Sequence, residues 1–374
     1  MIPFNSAPVI GRELDYVREA AASGHTAGDG PFTKRCERLL ADALGAPRVL
    51  LTTSCTHALE MGAMLLELGP GDEVIVPSFT FVSTVNPIVL RGATPVFADI
   101  RPDTLNIDEH RLPDLVTPRT KAIFVVHYAG VACEMDAILA VAARHGIPVL
   151  EDTAHALFGR YHGRQLGTLG SLGTLSFHET KNFTCGEGGA LVITDARLVE
   201  RAEILREKGT NRSRFFRGQI DKYTWVDVGS SYIPSELVAA YLLAQLEMRE
   251  EVQTRRAATF ARYANTLASW AAEQGIRLPV IPDGCDSAFH MFYLQFPGLE
   301  PRDRFITHMK AAGVHCVFHY LPLHRSPMGE HWNRLPADTV TERASDGLVR
   351  LPFYTTLSDA DQAHVIASAT AFRI

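Results

Sequence analysis

Asp152 and Lys181 are the residues whose types and setting promise chemistry. The run PVLED ends on Asp152, and GTLSF is followed by His178-Glu179-Thr180-Lys181 and then by the glycine-rich stretch CGEGGA. A lysine held at the end of an apolar strand loses part of its affinity for a proton, because burial disfavours the ammonium form and leaves a nitrogen lone pair for imine chemistry. A carboxylate in the same setting can keep a pyridinium nitrogen protonated, so that the ring accepts an electron pair. Taken singly, Lys181 also reads as a surface lysine and Asp152 as a cap for the helix that follows it. Together they describe a site. Ser54-Cys55-Thr56 stands where a helix begins, and its hydroxyls and amides suit either a phosphate or plain capping. Phe81, in PSFTFVST, suits either a stacking partner for a planar ring or a core position.

These residues need a scaffold that brings strand ends together. Seven β-rich runs alternate with helical patterns between about residues 45 and 200: Arg48 to Leu51, Glu73 to Val76, Thr94 to Asp99, Ala122 to His127, Pro148 to Asp152, Gly173 to Phe177 and Ala190 to Thr194. Several are apolar on both faces, as strands covered by helices on each side must be. THALEMGAMLLELG and MDAILAVAARHG carry helical periodicity and stop at glycine and proline. The pattern predicts an α/β fold with a mostly parallel sheet. Beyond Ser235 one or two helices lead out of this unit. A strand (HMFYLQF), a helix (PRDRFITHMKAAG), a strand (VHCVFHYL), a loop and a helix after Ser358 then form a smaller α+β unit. The expected division is a large domain over 1–250 and a small one over 251–374.

Composition narrows the function classes. The 374 residues are 46% hydrophobic and 21% charged, the range of chains that bury a sizeable core. Thirty-six basic against 42 acidic side chains give a net charge of −6 with no basic block, which argues against a nucleic-acid surface. Neither an export signal nor a membrane span is evident, and six scattered cysteines read as free thiols, so a cytoplasmic location is expected. There is no GxGxxG or GxxxxGK[ST] loop; Gly167, Gly170 and Gly173 recur at the wrong interval for a pyrophosphate turn. His315, His319 and His324 do not form a metal site, since residues four apart on a strand stand about 13 Å apart along it.

With these motifs in place, the sequence resembles the pyridoxal-phosphate-dependent sugar aminotransferases of the DegT/DnrJ/EryC1/StrS type. The likeness runs from SGHTAGDGPFTKRCERLL through GDEVIVPSFTFVSTVNPIVLRGATPVFADI, EDTAHALFG and SFHETKNFTCGEGGAL to HYLPLH. It implies the aspartate-aminotransferase fold (fold type I), with a seven-stranded sheet, and a homodimer with shared active sites. It implies Lys181 as the lysine that carries pyridoxal 5'-phosphate, Asp152 as partner of its ring nitrogen, and His155 near its 3-oxygen. Ser176 and the Ser54 to Thr56 turn would hold its phosphate, and Phe81 would cover its ring. Many members carry asparagine in a GxNxR stretch that reaches the partner's phosphate, where this chain has Gly229-Ser230-Ser231-Tyr232; Ser231 offers a shorter reach. Cys55 stands where glycine is common.

REKGTNRSRFFRGQIDKYTW, DVGSSY and HYLPLHRSPMGEH resemble the branch that makes dTDP-4-amino-4,6-dideoxygalactose. The implied reaction moves an amino group from L-glutamate to C4 of dTDP-4-keto-6-deoxy-D-glucose, for cell-surface polysaccharide such as lipopolysaccharide. Lys208, Arg212, Arg217 and Lys222 are candidates for its diphosphate, or else a solvated basic loop. His319, Tyr320 and His324 are candidates to face the sugar. Three alternatives stand beside it: a transaminase for another keto sugar nucleotide, at C3 or with the opposite C4 configuration; a sugar 3-dehydratase, whose histidine in place of the lysine is contradicted by Lys181; and a non-catalytic binding protein on the same fold.

Overall fold

The computed structural model describes residues 1–374. In chain order the strands are β1 (Arg48–Thr52), β2 (Glu73–Pro77), β3 (Thr94–Ala98), β4 (Thr120–Val126), β5 (Val149–Asp152), the hairpin β6 (Arg160–Tyr161) and β7 (Arg164–Gln165), β8 (Leu172–Ser176), β9 (Gly189–Ile193), β10 (Cys285–Asp286), β11 (Tyr293–Gln295), β12 (Val317–Phe318) and β13 (Leu348–Arg350). The helices are α1 (Glu13–Ala22), α2 (Pro31–Leu44), α3 (Cys55–Leu65), α4 (Val82–Leu90), α5 (Leu112–Leu115), α6 (Met135–His145), α7 (Val199–Arg206), α8 (Arg212–Phe216), α9 (Glu236–Glu247), α10 (Arg249–Glu273), α11 (Leu299–Ala311), α12 (Val340–Gly347) and α13 (Asp359–Ala371).

The seven strands read from the sequence form one sheet in the order β1-β9-β8-β5-β4-β2-β3, and only β9 runs against the rest. Alternation along each strand splits the core in two. Leu50, Val74, Val76, Phe124, Leu150 and Leu191 pack on one face with α3; Val49, Leu51, Ile75, Ile123, Val125, Ala190 and Val192 pack on the other. Both faces are buried, which is why these strands read as unbroken apolar runs rather than as alternating ones.

The same alternation sends Asp152 and its neighbour Glu151 to opposite faces. Glu151 is fully buried and accepts hydrogen bonds from the amides of Gly167 (2.9 Å), Leu169 (2.7 Å) and Gly170 (2.6 Å), with His127 Nε2 at 2.8 Å. This is the use of the spaced glycines: they form a tight loop around a carboxylate, and a Cβ on Gly173 would lie 2.2 Å from the Gly167 carbonyl oxygen. Glu151→Ala would leave three amides without an acceptor, and we expect it to cost at least about 3 kcal/mol of unfolding free energy. Urea denaturation at fixed protein concentration checks this; a loss under about 1 kcal/mol would refute the role.

The helix pattern after Ser235 resolves into two helices meeting at Met248, and α10 carries Phe260, Tyr263, Leu267 and Trp270 into a second core with residues 276–372. The sheet there has the order β11-β13-β12, with β13 in the centre. The chain start belongs with this unit: Ile2 pairs with Val314, and the Phe353 amide donates to the Phe4 carbonyl at 3.3 Å. No helix is long and apolar enough to cross a membrane.

Candidate active site

The carboxyl ends of β1, β2, β4, β5 and β8 open onto a cavity of about 500 Å³ whose far wall comes from the C-terminal unit. Ligands in open α/β sheets bind at such strand ends. Ser54, Cys55, Thr56, Phe81, Asp152, His155, Ser176, Lys181, His319 and Tyr320 all line it. A larger, open groove beside α11 and the chain terminus, bounded by Arg304, His308 and Arg373, gathers none of these residues.

Lys181 sits in a turn that prolongs the β8-β9 ladder, since Phe177 donates to the Gly188 carbonyl (2.8 Å) and Glu179 to that of Gly186 (2.9 Å). Burial lowers the Lys181 ammonium from 10.5 to about 8, against the opposing pull of Asp152. Asp152 is buried and shifted the other way, upward, by its own burial. Its two oxygens accept from Thr84 Oγ1 at 2.8 Å and from the Ala154 amide at 3.1 Å. The second bond caps a turn, where the sequence suggested a cap for a helix, since no helix follows Asp152; the first ties the carboxylate to the start of α4.

Two helices point their N-termini at the same space. Ser54 caps α3 through its Oγ, accepting from the His57 amide at 3.1 Å, and Thr56 Oγ1 donates to Ser83 Oγ at 2.8 Å, joining the starts of α3 and α4. The approach of α3 to β9 requires Gly189, where a Cβ would stand 2.4 Å from the Cys55 amide nitrogen. An anion at this corner would meet two positive helix ends and several hydroxyls. Phe81, the residue before α4, is 56% exposed at the rim, so it is a cavity residue rather than a core one.

The opposite wall is aromatic. His155 stacks on His290 with centroids 4.2 Å apart and planes 15° apart, and Tyr320 OH lies 3.4 Å from His155 Nε2. His155 Nδ1 is buried without a partner. His319 Nδ1 meets Tyr128 OH at 3.0 Å. Burial holds the His155, His290 and His319 imidazoles well below their usual titration range, so they are neutral.

Not every predicted residue enters the cavity. His324 is a correction: it is fully buried behind the site, its Nδ1 2.6 Å from Ser78 Oγ and its ring against Phe97, because the strand VHCVFHYL ends early and the chain turns into a 3-10 segment. Lys208 and Arg212 lie outside, each within 4 Å of Glu207, and Arg217 pairs with Glu203 at 2.7 Å. Lys222 and Ser231 are exposed on the same segment. Sequence reasoning missed Phe4, Thr84, His290 and Arg350. Thr84 alone carried a local signal, three residues beyond Phe81 in the same motif.

A lysine of lowered proton affinity, a buried carboxylate that calls for a cationic partner, an anion corner and an unpartnered imidazole nitrogen fit pyridoxal phosphate. They define, on this sheet, the aspartate-aminotransferase class of fold. Residues 9–370 match the DegT/DnrJ/EryC1/StrS aminotransferase family. The chain is 36% identical over 371 residues to the spore coat polysaccharide biosynthesis protein SpsC of Bacillus subtilis (strain 168), covering 96% of this chain and 94% of that one. Among solved structures, the aminotransferase TlmJ of Streptoalloteichus hindustanus superposes with a TM-score of 0.91 at 34% identity, over 99% and 98% of the two chains. S. venezuelae DesV, in complex with a ketimine intermediate, does so with a TM-score of 0.88 at 30% identity, over 96% and 94%. The chain belongs to the DegT/DnrJ/EryC1/StrS aminotransferase family, and it is a pyridoxal-phosphate-dependent sugar aminotransferase.

Proposed function

We propose that the protein transfers an amino group from L-glutamate to C4 of dTDP-4-keto-6-deoxy-D-glucose, giving dTDP-4-amino-4,6-dideoxy-D-galactose for a cell-surface polysaccharide. The observation that carries the transaminase part is the meeting of Lys181 and Asp152 in one buried cavity. The polysaccharide setting is supported by the name of the Bacillus relative, and the particular sugar by the segments REKGTNRSRFFRGQIDKYTW and HYLPLHRSPMGEH.

When bound, pyridoxal phosphate supplies an aldehyde that condenses with amines and a ring that accepts electrons. Lys181 would carry it, and the neutral Lys181 amine would serve as the base that takes the proton from the amino donor's α-carbon. Asp152 would keep the ring nitrogen protonated. His155 would serve the ring's 3-oxygen, while Ser54, Cys55 and Thr56 at the start of α3, with Ser176, would hold the phosphate. Phe81 would cover the ring, and His319 and Tyr320 would face the sugar.

The remaining predicted residues suit a homodimer with shared sites. Lys208, Arg212 and Ser231 would serve the partner's cavity, a role consistent with the exposed Phe216, Tyr223 and Trp225 beside them. The test is incubation with dTDP-4-keto-6-deoxy-D-glucose and L-glutamate, followed by NMR of the product. An axial amino group at C4, the galacto configuration, supports the proposal. A gluco product, amination only at C3, or no amination overturns it in favour of another keto sugar nucleotide.

A further inference from the structure

His324 is a buried, titratable residue of the HYLPLH motif that the chemistry leaves idle, and its contacts show what it holds. Its amide donates to Ser78 Oγ at 3.1 Å, its Nδ1 lies 2.6 Å from the same oxygen, and the neighbouring Leu323 amide donates to the Ser78 carbonyl at 3.1 Å. Ser78 Oγ thus accepts from the backbone and gives its own proton to Nδ1, which uses both sides of the hydroxyl. The other ring nitrogen, Nε2, has no partner and stands 3.9 Å from Glu342 Oε1, which Arg325 already holds, so no competing bond draws the ring away. Ser78 comes directly after β2 and before Thr80 and Phe81, which line the cavity; His324 comes four residues after Tyr320, on the opposite wall. The clip therefore joins the two walls. Docking of the C-terminal unit does not depend on it, since the Asp99 carboxylate separately accepts from the Val340 and Thr341 amides, each at 2.9 Å, and from Thr341 Oγ1 at 2.8 Å. What the clip holds is the stretch 319–322, which belongs to no helix or strand and is fixed at its other end by the bond between His319 and Tyr128.

We propose that His324 is a positioning residue: by clipping this stretch to Ser78 it sets the spacing between Tyr320 and Phe81 at the cavity mouth, and with it the affinity for the keto sugar nucleotide. The Tyr320 and Phe81 rings stand 6.3 Å apart, centre to centre, and Tyr320 also meets Phe79 edge-on at 5.8 Å. Phe79 and Phe81 are one and three residues from Ser78, so the clip fixes both partners of Tyr320 at once. The two substrates differ in what they ask of this mouth. An amino acid is small enough to lie wholly beside the cofactor, whereas a nucleotide sugar reaches from its carbonyl carbon out past the rim. A widened or shifted mouth therefore weakens the sugar and spares the donor.

This assignment rests on the acceptor being a keto sugar nucleotide, and one arm of its test needs no sugar. His324→Leu fills most of the space of the ring but leaves the Ser78 hydroxyl without an acceptor. His324→Asn leaves part of that space empty but puts Oδ1 where Nδ1 was. In the cofactor-loaded protein His324→Leu should raise the KM for the keto sugar nucleotide about 10-fold and that for L-glutamate less than about twofold, with His324→Asn close to wild type in both. Ser78→Ala should match His324→Leu, and the double variant should be no worse than either alone. A residue that only fills space would give the opposite order, with His324→Asn at least as harmful as His324→Leu and both losses following stability in urea. The second arm is amide hydrogen exchange in cofactor-free protein: the Leu323 amide and those of 319–321 should exchange about 10-fold faster in His324→Leu, and at the wild-type rate in His324→Asn. Faster exchange with no sugar turned over by wild type would sink the sugar reading and leave the clip standing. Unchanged exchange in His324→Leu would overturn the clip, whatever the sugar. Donor and sugar constants that rise together, or that follow stability, would overturn its role at the mouth.

Discussion

Lys181→Met is expected to lower turnover by at least about 10⁴-fold, because it removes both the amine that carries the cofactor and the base that moves the α-proton. The fold should survive. Lys181 pays for its burial with a proton affinity lowered to about 8, so an apolar side chain of similar length removes a desolvation cost rather than a stabilising contact. The sign of the pH effect follows. Below pH 8 the lysine is protonated in both folded and unfolded chains, and the cost is fully present. Between 8 and the ordinary value of 10.5 the unfolded chain binds the additional proton, so wild-type stability rises with pH in that window. In cofactor-free protein the stability of wild type relative to Lys181→Met should therefore climb from pH 8 upward, and capture of pyridoxal phosphate by wild type should speed up with a midpoint near pH 8. Turnover within tenfold of wild type would refute the assignment of Lys181, and capture with a midpoint near 10.5 would refute its burial.

The large sheet was legible because its strands are buried on both faces and separated by helices with clear stops. β2, β8 and β9 are buried at every position, and the runs Val74 to Val76 in β2 and Ala190 to Ile193 in β9 contain no polar residue, while β8 buries Thr174. The C-terminal unit was harder. β12 and β13 contribute two and three residues, too few to display a period, and β13 ends on Arg350. α1 and α2 stand outside the strand–helix alternation that reveals the sheet, although Pro31 opens α2 and Gly45, with φ of 66°, ends it.

Site residues followed the same division. Those at the ends of the sheet strands, Asp152, Ser176 and Lys181, could be found because an apolar run points at them. On the far wall, His319 and Tyr320 came only with the HYLPLH motif, and His290 and Arg350 carried no signal, because which face a residue shows there depends on how the second unit packs against the first. His319 and His324 illustrate it: they stand in one short motif, yet one lines the cavity and the other is sealed behind it against Ser78. Arg350 and His290 come from separate segments that meet only in the folded chain.

Asp152→Asn separates the electronic role of the carboxylate from its place in the fold. The amide oxygen can still accept from Thr84 or Ala154, so the geometry around β5 and α4 is preserved. What is lost is the negative charge that holds a proton on the cofactor's ring nitrogen, and with it the electron sink. Turnover should fall about 10²- to 10³-fold in both half-reactions, with KM for donor and keto sugar little changed, as expected for a group that matters more in the transition state than in binding. Stability should not fall with it. Burial raises the Asp152 proton affinity, so the folded chain holds a proton that the unfolded chain has released, and stability declines as pH rises through the interval between the two values. The neutral amide has no such decline, and cofactor-free Asp152→Asn should be at least as stable as wild type at neutral pH. Thermal melts of the two apoproteins, set beside single-turnover rates, test both halves. A variant that keeps wild-type rates would remove Asp152 from the chemistry. One that loses stability in proportion to rate would reduce it to a structural cap for the turn at Ala154.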